Sequence, residues 1–237
     1  MKALSSPINQ NTHKDSLIYR CGWYALLIAM IGDIIISFIL PLFCKEYSIM
    51  KMSISVLGNP KSPVKLPFNM WMIIEGILFM LGLPSIYKAY CPISSCTTYT
   101  LISFINIFAV GACIFTCFFS INESKDVATT SSKIHNISSA FGFILFLFVP
   151  LLIARLSSKN NEIMVGKICI ICFFVAFAFF SLFVMSDKPY FSNTIIDNEG
   201  LWQRLNVIFM YMPFIIISIK RILADEIVIF RNIKKMK

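Results

Sequence analysis

The chain has 237 residues, 57% of them hydrophobic and only 14% charged, with a mean hydropathy of +0.77 and a pI near 9.2. Soluble domains average about 25% charged and 45–50% apolar residues, so the composition excludes an ordinary soluble globular protein and places the chain in a bilayer. The net charge of +9 does not imply nucleic acid, because the basic residues sit in short loops and in the tail Arg231, Lys234, Lys235 and Lys237, where anionic lipid is the nearer polyanion.

About 20 mostly apolar residues are needed to cross a hydrocarbon core of roughly 30 Å as a helix. Six segments meet this, at 21–43, 68–87, 98–120, 136–154, 168–185 and 201–219. The expectation is an all-α, polytopic protein, one six-helix membrane domain over 1–237 with short tails. The first segment follows Lys2, Lys14 and Arg20 and is longer than the roughly 7–15 residues of a signal-peptide core, so it reads as an anchor. Cys44, preceded by bulky Phe43, does not look lipidated. In the next loop Ile49, Met52, Val56 and Leu57 have amphipathic spacing, which predicts a short helix on the membrane surface stopped by Gly58-Asn59-Pro60. The loops between the third and fourth and between the fifth and sixth spans are also long. No internal repeat signals an inverted-repeat transporter.

Six spans put both termini on one side. That side carries 13 of the 21 basic residues, and the opposite side carries eight together with six acids. The positive-inside rule then predicts cytoplasmic termini and a multi-pass protein of the cell inner membrane, with its longer loops facing out. The sequons Asn122-Glu123-Ser124 and Asn136-Ile137-Ser138 fall on the outward side and matter only in a eukaryotic secretory route.

Several short motifs carry a resemblance over nearly the whole chain: Ile54-Ser55-Val56-Leu57-Gly58, Phe68-Asn69, Glu75-Gly76, Ile134-His135-Asn136, Val149-Pro150-Leu151-Leu152 and Gly200-Leu201-Trp202-Gln203-Arg204-Leu205. In these the chain resembles a prokaryotic six-helix membrane family catalogued as domain of unknown function nine-nine-eight. The resemblance implies six helices and an outward cluster of special residues, and supplies no reaction. One departure is Val56, at a position before Leu57 where the family pattern favours an acid.

Asp33 and Glu75 are the two acids within spans. A charge at membrane depth costs roughly 2.5–3.5 kcal/mol on insertion scales, so such groups face the bundle interior and find partners. At about 1.5 Å per residue they lie roughly 15 and 12 Å below the outer ends of adjacent antiparallel spans, at similar depth. A meeting pair would share a proton, bind a cation or act as general acid and base. Arg204 and His135 approach from outside. Asn69, Asn106 and the pairs Asp33/Ser37 and Arg204/Tyr211 at helical spacing extend the polar set, as does a stripe of Ser103, Asn106, Cys113 and Cys117. The plainer alternative is that these groups hydrogen-bond helix to helix, with Arg204 neutralising an acid.

Only His13 and His135 are present, so a multi-histidine zinc site is not expected. The eight cysteines, including Cys169-x-x-Cys172, read as buried small side chains rather than a metal or redox centre. No P-loop or G-x-S-x-G element occurs. No cofactor or metal is expected. The sequence favours an outward-opening polar cavity, lined by Asp33, Glu75, Arg204, His135, Asn69 and Asn106, that binds or transports a lipid headgroup or small amphiphile. The alternatives are an outer-leaflet lipid enzyme using the same residues and an interaction or immunity-type subunit whose loops engage a membrane protein. The expected partners are membrane lipids, a small amphiphilic ligand or a protein partner, with no nucleic acid.

Overall fold

The computed structural model describes residues 8–119 and 129–236, with side chains over 19–119 and 129–227. The sequon at Asn122, Glu123, Lys125 and Asp126 lie outside the described residues, as do the side chains of His13 and of the basic tail. Among the described residues six helices are long and apolar enough to cross a membrane: Tyr19–Phe43, Lys65–Tyr90, Ser95–Phe118, Thr130–Lys159, Ile163–Ser186 and Glu199–Ile227. Five contain the apolar run expected from sequence, and the third ends at Phe118, short of the expected 120; most ends extend past the expected ones, because polar residues at the bilayer edge continue a helix that the hydropathy threshold truncates. The sixth runs on as helix to Met236.

The first span packs against the second and sixth, and the fifth against the sixth. Small residues set the closest crossing. A Cβ on Gly22 would meet the Ser85 hydroxyl and the Leu81 carbonyl, and one on Gly82 would meet Leu26, so these glycines let two backbones approach as membrane helices prefer. The centre is aromatic, with Phe79, Phe108, Phe146 and Tyr211 mutually in contact and ring centroids 4.3–6.4 Å apart. Apolar residues such as Ile28, Leu81, Ile171 and Phe174 are exposed on the outside, where hydrocarbon replaces water as the solvent.

Two backbone irregularities shape the half of the bundle opposite the termini. The third span widens into a π-helix over Phe108–Phe115. The fourth is interrupted at Phe148, where Thr130–Leu147 ends and Val149–Lys159 begins with Pro150 in its first turn; proline lacks the donor that would continue the ladder. Beyond this kink the outer segment of the fourth span packs on the third and barely meets the fifth, whereas the inner segment packs closely on the fifth.

The loop after the first span differs from the expected surface helix. It forms turns and one short 3-10 helix, Ile54–Gly58, ended at Asn59 as anticipated but tucked into the bundle. Ile54 and Leu57 are buried with Leu40, Val64 and Phe68. Buried polar groups of the sixth span hold it there.

Candidate functional site

Gly200 is the second residue of the sixth span, and a Cβ there would collide with the carbonyl oxygens of both Ile49 and Met52. Only glycine lets the loop lie this close. Leu201 N–H donates to the Met50 carbonyl at 3.1 Å, and Gln203 Oε1 accepts from Ile54 N–H at 2.6 Å. Arg204 completes the clasp. Its Nε and Nη2 donate to the Ser37 carbonyl at 3.2 and 3.1 Å, its Nη1 to the carbonyls of Ile49, Met52 and Gly200 at 2.9–3.3 Å, and Nη2 to the Tyr47 hydroxyl at 2.9 Å. Tyr47 in turn shares its one hydroxyl proton between the carbonyls of Met52 and Ser53. Burial pushes the Tyr47 phenol above its ordinary value, with the Arg204 charge opposing the shift. Two motifs behind the family resemblance, Ile54–Gly58 and Gly200–Leu205, therefore meet in this clasp through the Ile54 N–H and Gln203.

Below the clasp, Asp33 and Glu75 meet through Tyr211. The Tyr211 hydroxyl lies 3.2 Å from Asp33 Oδ2 and 2.9 Å from Glu75 Oε1. Asp33, Glu75 and Tyr211 are 6%, 1% and 1% exposed. A phenol has one proton to donate, so it donates to one carboxylate and accepts from the other carboxyl when that group is protonated. A pair holding one proton thus satisfies all three groups and carries one negative charge. The aromatic centre fixes the Tyr211 ring, and the π-helix brings the Cys113 thiol beside Glu75.

A cavity of about 960 Å³ extends from this triad to the face opposite the termini. Along the first, second and sixth spans its wall carries the polar groups Asp33, Glu75, Gln203, Asn206 and Tyr211, set among Phe68, Met72 and Val207. Asn206 is 2% exposed and its Oδ1 has no donor. The deeper part of the opposite wall is apolar, with Ala140, Phe143 and Ile144 from the fourth span and Phe180, Phe183 and Val184 from the fifth, on either side of the separation left by the kink, whereas Ser132, Asn136, Ser139 and Lys188 line it nearer the ends of these spans. His135 lines the outer part, its Nδ1 2.7 Å from the Phe119 carbonyl oxygen.

Three of the residues expected in this cavity are elsewhere. Arg204 is 2% exposed and faces the loop rather than the cavity, because backbone carbonyls surround its guanidinium. Asn69 is tied to the third span, donating to the Cys117 carbonyl at 3.2 Å. Asn106 is exposed on the outside of the third span, as is Ser103. The expected stripe running from Ser103 to Cys117 assumed a constant α-helical advance, and the i→i+5 turns of the π-helix put Cys113 on the buried side and Asn106 on the other. Sequence reasoning missed Asn206, which carries no signal beyond being polar within a span, and placed Gln203 only within a motif. Tyr211 was visible through its seven-residue spacing from Arg204.

A family described as Protein of unknown function (DUF998) matches residues 27–220. No match is found among curated proteins or among solved structures.

Proposed function

The chain belongs to the DUF998 family, and from its cavity we propose that it binds an amphiphile whose head carries an ammonium or several hydroxyl donors, the head resting on Asp33, Glu75, Tyr211 and Asn206 and the chain leaving between the fourth and fifth spans. The observation that carries this reading is the two-sided wall: acceptors on one side, apolar side chains across the kink-made gap on the other. The volume of about 960 Å³ lies at the upper end of the roughly 300–1,000 Å³ common for ligand pockets. With the positive-inside reading of the topology, the opening faces outward and the ligand comes from the outer leaflet.

Head-group preference follows from charge. Arg204 is taken up by the clasp, so the deep end of the cavity presents two carboxyls sharing a proton and the Oδ1 acceptor of Asn206. A donor-rich or cationic head satisfies these groups, and a phosphate at the same place meets like charge. The enzymic alternative needed Arg204 to face a reacting anion, which its geometry does not favour.

The test uses the full chain in phosphatidylcholine vesicles with three chain-spin-labelled probes, octadecylamine, octadecyl glucoside and octadecyl phosphate, and reads the motionally restricted fraction. A charge-assisted hydrogen bond contributes about 1.5–3 kcal/mol, so the amine is expected to be retained at least tenfold better than the phosphate. Glu75→Gln should erase that preference, and Ala140→Trp, which fills the gap, should release all three probes. Equal retention of the three probes, unaltered by either substitution, would refute the proposal.

A further inference from the structure

A second cavity, of about 200 Å³, lies at the other end of the bundle, on the side of the termini. Three cations from three different spans converge on it: Arg20 at the start of the first, Lys88 near the end of the second and Arg221 in the sixth. Tyr19 and Trp23 complete its aromatic side, and Ser85, whose hydroxyl donates to the Tyr19 carbonyl at 2.6 Å, backs it. These residues lie at the ends of their spans, at the level where tyrosine and tryptophan anchor in the interface and lipid head groups begin.

The cations are held in an unusual way. Lys88 Nζ stands 3.8 Å over the Tyr19 ring, and the Arg221 guanidinium lies 5.3 Å over the Tyr90 ring. A ring face attracts a cation without occupying its N–H donors, so both keep hydrogen-bonding capacity. Arg20 pairs with Glu226 through one terminal nitrogen, yet its Nε is buried with no acceptor. Of the acids at hand, Glu226 is engaged by Arg20, which leaves Asp225 opposite Lys88 and Arg221.

We propose that this pocket binds a phosphate group, presented by an anionic phospholipid of the leaflet on the side of the termini. The N–H groups of Lys88 and Arg221 and the local cationic excess ask for one multivalent oxygen anion, and basic pockets between membrane helices are where phosphate head groups dock. The site is independent of the large cavity, which it faces from the opposite end of the bundle.

The full chain in phosphatidylcholine vesicles, probed with spin-labelled phosphatidic acid against spin-labelled phosphatidylcholine, tests this. Phosphatidic acid should be retained preferentially, and Lys88→Gln and Arg221→Gln should each weaken that preference about fivefold, the contribution expected of one basic side chain near a membrane surface. Lys88→Arg, which keeps the charge, should retain it, and separates loss of the site from loss of the fold. Displacement of phosphatidic acid by millimolar inorganic phosphate would support the phosphate site and assign a soluble source; no displacement assigns the lipid. The proposal is overturned by equal retention of the two lipids, or by a preference that survives both glutamine substitutions undiminished.

Discussion

Replacing Arg204 by lysine keeps the charge and changes only the geometry, which makes it the sharpest probe of the clasp. The guanidinium serves five acceptors: the carbonyls of Ser37, Ile49, Met52 and Gly200 and the Tyr47 hydroxyl. An ammonium has three N–H groups, so at least two of these five contacts are lost. At about 1.5–3 kcal/mol for each hydrogen bond to a charged group, the loss is about 3–6 kcal/mol, a large part of a typical total stability of about 5–15 kcal/mol. The loop should separate from the sixth span before the bundle itself unfolds. Amide hydrogen exchange reads this directly, because Ile54 N–H donates to Gln203 and Leu201 N–H to Met50. In Arg204→Lys both amides should lose protection while those of the fifth span keep theirs. Protection retained in Arg204→Lys but lost in Arg204→Gln would show that charge alone suffices, and would refute the clasp.

Gly200→Ala should produce the same loosening from the opposite side, since its methyl would collide with two carbonyl oxygens; overpacking of this kind costs about 1–3 kcal/mol, measurable as a lower unfolding temperature in detergent. Tyr211→Phe leaves both acids without their shared hydroxyl and should destabilise the protein by about 1–3 kcal/mol, with Glu75→Gln/Tyr211→Phe costing less than the sum of the single changes if the three groups form one network. The raised Tyr47 value predicts a pH dependence. Below pH 10, the ordinary phenol value, the group is protonated in both folded and unfolded chains and its contribution is fully present. Above it the unfolded chain releases the proton first, so stability falls as pH rises through the folded value. Thermal unfolding from pH 8 to 11 should show this decline in the native chain and a shallower one in Tyr47→Phe.

What could be read from the sequence was what depends on local composition. Asp33 and Glu75 stand out because their neighbours are apolar, and counting residues from the outer ends put them at one depth, where the structure finds them on either side of Tyr211. The partner of Arg204 was not legible. A guanidinium one turn inside a span has the same sequence signature whether it faces a cavity or a loop, and the choice was made by five oxygens contributed from Ser37, Tyr47, Ile49, Met52 and Gly200, four of which precede it by more than 150 positions in the chain. Asn106 shows a different limit. Helical spacing was extrapolated across Phe108–Phe115, a run with no proline to announce its change of pitch, and the face it predicted ended where the π-helix began. Pro150, read in the sequence only as part of a motif, sits at the kink of the fourth span, and its neighbours in sequence do not say which span the segment before it would leave.

The central claim is that an amphiphile occupies the interior between the fourth and fifth spans with its head on the acid pair. Photo-crosslinking with an alkylamine bearing a diazirine in its chain, followed by mapping of the modified residues, addresses this in one measurement. Adducts on Phe143, Phe180 and Phe183, abolished by Glu75→Gln, are the predicted result. Adducts confined to lipid-facing residues such as Ile171 and Phe174, and indifferent to Glu75→Gln, would contradict it.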